Sequence, residues 1–187
     1  MILSSELSFL RRQHNCVVKS ISSSDVTSEY VSSLRSNSQI LKYADKSSDM
    51  QSQATYIDEI RANPRSCIVG LFIDGKLIGT CGIQEIISED LSSVGVFLFE
   101  SVPRGQGWGY TLLWACCELV RQESKTWRFI ASTRLDNDAA RGAFKHAGFS
   151  ELVSNEVIMW VGCLASSIRK PNDLGPHCVV LVDSYSR

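Results

Sequence analysis

Apolar positions recur along the chain in two periods, one near two residues and one near 3.6, and their order lays out the elements. Residues 1–15 carry no clear period and read as a loosely ordered lead-in. Cys16-Val17-Val18-Lys19-Ser20-Ile21 reads as a first strand. Ser22-Ser23-Ser24-Asp25 supplies a turn and a helix cap, and Val26 to Leu34 then places Tyr30, Val31 and Leu34 on one helical face. Gln39 to Tyr43 reads as a further helical piece and Ala44 to Ser52 as a polar loop. Ala54 to Ala62 carries Tyr56, Ile57 and Ile60 and stops before Pro64. Cys67 to Ile73 and Lys76 to Ile87 flank Asp74-Gly75, a dipeptide suited to a two-residue hairpin. After a turn at Ser88 to Ser93, Val94 to Phe99 completes an antiparallel meander.

The second half follows the same logic. Tyr110, Leu112, Leu113, Cys116, Leu119 and Val120 recur at spacings of three and four and predict a helix over Gly107 to Gln122. Thr126 to Thr133 reads as a strand, and its connection through a helix predicts a parallel partner in the strand at Val94. Asn137 to Ala147 forms a short amphipathic helix stopped by Gly148. Ser150 to Val153 and Glu156 to Val161 close the sheet as a hairpin. Residues 166–176 are polar, with Pro171 and Pro176. His177 to Val182 is apolar and β-like, as an extra edge strand or a dimer contact. The reading is an α+β, three-layer domain over 16–165, flanked by the lead-in and an extension at 166–187. Its mixed, mostly antiparallel sheet has about six to seven strands, with helices on both faces.

Composition narrows the function. Acids and bases balance at 20 and 19, for a net charge of −1, which argues against nucleic acid as the partner. Hydrophobic residues make up 44%, enough for a core, yet no apolar run approaches a membrane span. Met1 to Leu10 is too short and too polar for a secretory leader. The seven cysteines are odd in number and contain no Cys-x-x-Cys pair, and the three histidines lack zinc spacing. No metal is expected, and the cysteines read as reduced core residues of a cytoplasmic protein.

The chemistry concentrates where the strand at Val94 meets the helix. Between them stand Arg104-Gly105-Gln106-Gly107-Trp108-Gly109. The first N–H groups of a helix lack internal partners, and its dipole adds positive potential, so this junction suits an anion. Glycines admit the backbone to close range, and Arg104 adds charge. The dinucleotide spacing Gly-x-Gly-x-x-Gly fails, with Tyr110 or Leu112 at the third position, and no Gly-Lys-Ser/Thr run exists. Arg104, Gly107 and Gly109 fit Arg-x-x-Gly-x-Gly instead.

That spacing resembles the acyl-CoA pyrophosphate loop of the GNAT superfamily of N-acyltransferases. Asn137, Ala140, Phe144, Gly148 and Phe149 resemble the superfamily's second signature, and the likeness covers Cys16 to Val161. The resemblance implies central strands that splay apart, with the pantetheine arm in the gap bonding backbone near Phe99 and Ser101. It implies cofactor contacts at Arg104, Gly105, Gln106, Gly107, Trp108, Gly109, Asn137 and Phe144. The early helical pair would wall the acceptor site, with Tyr43 a substrate contact.

Acyl transfer to an amine needs a base for the ammonium, donors for the developing oxyanion and a leaving thiolate. Glu85 and Glu100, late in two neighbouring strands, are the candidate bases. Alternation would put Cys81, Ile83 and Glu85 on one sheet face. Many superfamily members carry a Tyr acid where this chain has Phe144, which has no proton to give. A thiol of pKa about 8.5 leaves without one.

The resulting expectation is an N-acetyltransferase moving an acetyl group from acetyl-CoA to a primary amine, as monomer or homodimer. A small-molecule amine such as an amino sugar is favoured, because no acidic run suggests a basic peptide. Residues 30–43 resemble equally the branch that acetylates ribosomal-protein N-termini and relatives that act on sugar nucleotides. A protein N-terminal or lysine acetyltransferase, and a non-catalytic acyl-CoA-binding module, stay open. A nucleotide-binding protein using the same loop is disfavoured by the spacing.

Overall fold

The computed structural model of the 187-residue chain describes residues 3–36, 49–88, 90–124, 128–175 and 179–182, with 84–88 and 179–182 described by backbone alone. A hairpin of β1 (Ser5–Arg11) and β2 (His14–Ser20) opens the fold, and α1 (Ser28–Ser36) and α2 (Met50–Ala62) follow. β3 (Cys67–Ile73), β4 (Lys76–Ser88) and β5 (Leu91–Leu98) form the expected meander. Then come α3 (Trp108–Glu123), β6 (Arg128–Arg134), α4 (Asp138–His146), β7 (Ser150–Ser154), β8 (Ile158–Leu164) and β9 (Val179–Val182).

The strands form one nine-stranded sheet in the order β7-β8-β6-β5-β4-β3-β2-β1-β9. Every neighbouring pair is antiparallel except β5 and β6, which run parallel as their helical connection requires. The mixed sheet is the one expected, but it is wider than six or seven strands. Ser5–Arg11, read as a lead-in, is β1 and pairs with β2 from Leu7↔Val18 to Arg11↔His14. Val179–Val182 takes the edge-strand option by pairing with β1. Both flanks therefore contribute a strand to the one sheet.

Alternation decides which face each helix covers. Cys81 of β4 reaches α3, where it meets Cys116 through a side-chain hydrogen bond. Thr80, one residue earlier, points the other way and bonds the Tyr30 hydroxyl of α1. The Tyr30 ring packs edge-on against Phe99 at 5.5 Å. So α3 lies on one face and α1 on the other, with α2 packed beside α1 and β3. α3 buries most of its circumference, and its Trp114 meets Phe9 of β1 at 5.9 Å. That contact fixes the inward set of β1 as Ser5, Leu7, Phe9 and Arg11.

Candidate active site

The parallel pairing of β5 and β6 is short. Its register runs Leu91↔Arg128, Ser92↔Phe129 and Ser93↔Ile130, whereas β5 continues to Leu98 against β4 and β6 to Arg134 against β8. The two strands thus part beyond Ser93, as the sequence led one to expect. Phe99 donates its N–H to Ile78 O at 2.9 Å and its carbonyl accepts from Val102 N at 3.2 Å, so Phe99 is committed inside the protein. In an antiparallel ladder alternate residues face the partner. Phe97 and Gly95 therefore face β4, and Val96 and Leu98 turn their backbone groups toward the gap. Ser101 is exposed and donates its hydroxyl to Glu29 Oε1 at 2.5 Å, in a cluster completed by Lys76.

β5 leads into the glycine loop and α3. Gly107 sits at the N-cap with φ +78°, and it has no side chain to cap the first turn. Thr111 N is the amide that reaches back to Gly107 O, so the N–H groups before it have no partner within the helix. Gly105 adopts φ +77°, with nothing within 4 Å of an added Cβ. At Gly109 α3 passes Leu98 and Ala143 of α4, and an added Cβ would lie at ordinary contact distance from them, 3.6 and 3.9 Å. Arg104 is exposed and lies 3.4 Å from Leu98 O. These features keep the junction open for an anion.

Beneath the loop, side chains are engaged within the protein. The Trp108 side chain is buried and donates Nε1–H to Gln106 Oε1 at 3.1 Å, so these two side chains brace the loop from below. A Cβ on Gly107 would point at Arg11 Nη2, 2.9 Å away, rather than into the anion's space. Arg11, at the end of β1, is the residue that sequence reading missed. Its side chain is 4% exposed, lies 4.5 Å from the Trp108 ring centre and donates Nη2–H to Gln106 O at 3.0 Å. Its Nη1 is buried with no hydrogen-bond partner.

α4 flanks the loop through Gly109 and Ala143. Asn137 caps this helix, its side-chain oxygen accepting from Ala140 N at 3.1 Å, so that oxygen is spent on local structure. Phe144 is 3% exposed and packs on Phe149 at 5.3 Å. No acid stands at that position, in keeping with its sequence.

The two carboxylates separate. Glu100 lies exposed beyond β5, with its N–H on Ser33 Oγ at 3.1 Å. Glu85 lies in register with Ser93, the last β5 residue before the strands part. A register shift between Ile83 and Glu85 breaks the simple alternation. Ile83 is opposite Val94, whereas residue 85 takes the register position of Ser93, on the face of Phe97 and Thr80. So Glu85 and Cys81 do not share a face. Tyr43, within 37–48, lies outside the described residues.

Six cysteines, Cys16, Cys67, Cys81, Cys116, Cys117 and Cys163, are free and buried. Burial pushes the Cys67 thiol up to about 12 and Cys16 up to about 11, which removes them as thiolate nucleophiles. Among the described residues no His, Cys, Asp and Glu group is placed to hold a metal ion. Among them, too, no helix is long and apolar enough to cross a membrane.

Known structures share this architecture. Mycobacterium smegmatis RimJ, in complex with a CoA-disulfide, superposes with a TM-score of 0.69 at 17% identity, covering 88% of this chain and 88% of that one. An acetyl transferase of Salmonella typhimurium that modifies the N-terminal serine of a 50S ribosomal subunit protein gives 0.66 at 15% identity, covering 80% and 94%. The Campylobacter jejuni N-acetyltransferase PseH gives 0.58 at 14%, covering 79% and 97%. At such identities the likeness establishes the fold. Comparison with curated proteins found no match. Residues 29–149, well over half of the chain, match the sequence profile of the acetyltransferase (GNAT) family, so the chain belongs to that family of acyl-CoA-dependent N-acyltransferases.

Proposed function

We propose that the chain transfers an acetyl group from acetyl-CoA to a primary amine. The observation that carries this reading is the pairing of a strand split beyond Ser93 with an uncapped α3 N-terminus at Gly107. A pyrophosphate on the N–H groups of Trp108, Gly109 and Tyr110 would draw on the helix dipole. Val96 and Leu98 would bond the amides of the pantetheine arm in the gap. The thioester would then arrive near Ser93 and Ile130, the register level of Glu85. Glu85 is the general base in this reading and acts on the incoming ammonium, directly or through one water. The thiolate leaves without a protein acid, because Phe144 offers none and a thiol pKa of about 8.5 makes the anion accessible. Holding both reactants in one cleft supplies much of the acceleration.

The acceptor is a small amine, such as an amino sugar, in the reading that the balanced charge favours. The alternative is a protein α-amine, favoured by the ribosomal-protein substrate named for the Salmonella neighbour. Thermal shift with acetyl-CoA, CoA, ATP and NAD tests the cofactor. Ligand at ~100 times its dissociation constant adds about 2.7 kcal/mol. A shift with the CoA species alone supports the reading, and its absence on folded, unloaded protein overturns it. Thiol release with glucosamine-type amines and with Ser- or Met-initiated peptides then decides between acceptors. CoA binding without thiol release for any amine would leave a binding module.

A further inference from the structure

β1 and the segment that follows β8 both lie outside the family match at 29–149, and they meet beneath the glycine loop. The segment is tied down on both sides of Asp173. Before it, Arg169 N donates to Ala147 O at 3.1 Å, at the end of α4, and the Tyr110 hydroxyl of α3 donates to Arg169 O at 3.0 Å. After it, Leu174 forms a bridge with Arg11, and Gly175 N donates to Leu10 O at 2.8 Å. These ties fix the backbone around Asp173 independently of its side chain.

From that place Asp173 grips Arg11 with both oxygens, Nε on Oδ1 and Nη2 on Oδ2, each at 2.9 Å. Two parallel bonds to a carboxylate fix the plane of a guanidinium as well as its position. The group so held donates Nη2–H to Gln106 O at 3.0 Å and lies 4.5 Å from the Trp108 ring centre. Its Nη1 is buried without a hydrogen-bond partner, so the guanidinium is not oriented by its own bonding needs. The Asp173 pair and the loop set its orientation instead. The peptide between Gln106 and Gly107 is trans and planar, so its C=O and N–H point in opposite directions. A carbonyl drawn down onto Arg11 therefore turns the Gly107 N–H to the outer side of the loop, beside the uncapped start of α3.

We propose that Asp173 is a positioning residue for the co-substrate: it holds Arg11 so that the Gln106 carbonyl stays inward and the Gly107 N–H faces the bound anion. The assignment rests on the acetyl-CoA reading above. Asp173 touches no ligand in it and acts through Arg11. Its own charge works the other way, since a carboxylate near an anion weakens binding. That opposing effect is small, because Asp173 is 42% exposed, is paired with Arg11 and Arg12, and is screened by salt. Geometry and charge thus predict opposite signs for its removal, weaker binding for the first and tighter binding for the second. Both partners lie outside the family match, so this control of the loop belongs to the chain's own flanking strand and C-terminal segment.

The test is calorimetric titration of the full chain with acetyl-CoA, which needs no acceptor. It is run on the natural protein, Asp173→Ala, Asp173→Asn, Arg11→Met and the Arg11→Met/Asp173→Ala double variant, with circular dichroism melts to check folding. Asp173→Ala should weaken binding about fivefold, and Asp173→Asn, which keeps one acceptor oxygen for Arg11, about twofold. In the Arg11→Met background Asp173→Ala should change Kd by less than about twofold, because the residue through which it acts is gone. A role confined to holding the C-terminal segment would lower the melting temperature and leave Kd alone, or weaken binding equally with and without Arg11. Either result overturns the proposal, and so does tighter binding in Asp173→Ala. Asp173→Asn keeps the side-chain volume, so its Kd decides the sign if Asp173→Ala misfolds. Failure of acetyl-CoA to bind the natural protein overturns the acetyl-CoA reading, and this assignment with it. Binding that ignores Asp173 overturns this assignment alone.

Discussion

Arg11 and Asp173, 162 residues apart in sequence, meet in a two-point ion pair, with Nε to Oδ1 and Nη2 to Oδ2 each at 2.9 Å. Burial alone would raise the Asp173 carboxyl, but the Arg11 hydrogen bond and charge hold it below the ordinary value. The same guanidinium bonds the Gln106 carbonyl and lies over Trp108. One buried cation therefore joins β1, the glycine loop and the segment after β8.

Replacing Arg11 with Met keeps most of the volume and removes the donors. Gln106 O loses its donor and Asp173 its main partner, which should lower unfolding free energy by about 2 kcal/mol. The loop should then hold its ligand less well, raising the acetyl-CoA KM about tenfold while kcat stays within about twofold. Urea denaturation and steady-state kinetics measure the two effects. A fall in kcat with KM unchanged would mean that Arg11 does not act through the loop.

Gly107→Ala should be costly for two reasons. A left-handed residue other than glycine costs about 1–2 kcal/mol. The added Cβ also meets Arg11 Nη2 at 2.9 Å. Gly105→Ala shares the first cost but not the second, since its Cβ meets open space. The Gly107→Ala/Arg11→Met double variant should therefore cost less than the sum of the singles. Additive effects would show that the Arg11 contact is not what confines position 107.

Phe144→Tyr would restore the aromatic acid that many family members carry, but the site is closed. Phe144 packs on Phe149, and a hydroxyl there without a partner should cost about 1–3 kcal/mol. Turnover should not rise. A gain in kcat with stability unchanged would place the ring edge on the leaving sulfur instead.

Glu85→Gln and Glu100→Gln separate the candidate bases. Glu85 stands at the register level where β5 and β6 part, and Glu100 lies out in solvent beyond β5. With an amine acceptor, Glu85→Gln should lower kcat about 100-fold or more. Glu100→Gln should change stability by less than about 0.5 kcal/mol and leave kcat nearly as it was. The opposite pattern would reassign the base.

Acid should loosen the start of β1. Glu123, at the end of α3, accepts N–H bonds from Ser4 at 2.9 Å and Ser5 at 2.7 Å. Burial raises its carboxyl, but these bonds prevail and its pKa lies below the usual glutamate value. The folded state thus binds the proton more weakly than the unfolded one. The stabilisation is complete above the ordinary glutamate pKa of about 4.3 and disappears as pH falls through the lowered folded value. Urea titrations at pH 6 and pH 3.5 should show a smaller loss in Glu123→Gln than in the natural protein.

Two hairpin turns show where legibility ended. Asp74 and Gly75 both take positive φ, 49° and 83°, and the sequence announced the turn through a dipeptide built for that conformation. Arg12 and Gln13 also take positive φ, 51° and 68°, but neither residue type prefers it. With no turn signal, and with polar Ser5 and Arg11 among the inward positions, the β1–β2 hairpin read as a lead-in. Pairing with β2 and β9 and packing against α3 offset that local cost, and such long-range terms leave no local trace in sequence.

By itself the sequence determined the elements whose signals are local: the meander around Asp74-Gly75, the loop-to-α3 junction, the α4 helix with its glycine stop, and the family. Their spacing and turn chemistry act within a few residues, where one chain is enough. The tertiary structure decided what depends on distant partners. It turned Gly107 toward Arg11, shifted residue 85 across a bulge to the level where β5 and β6 part, and brought Arg169 and Lys170 beside α3 and α4. Those placements follow from which strand lies beside which. That order is set by burial summed over the whole sheet, so no short stretch of sequence records it.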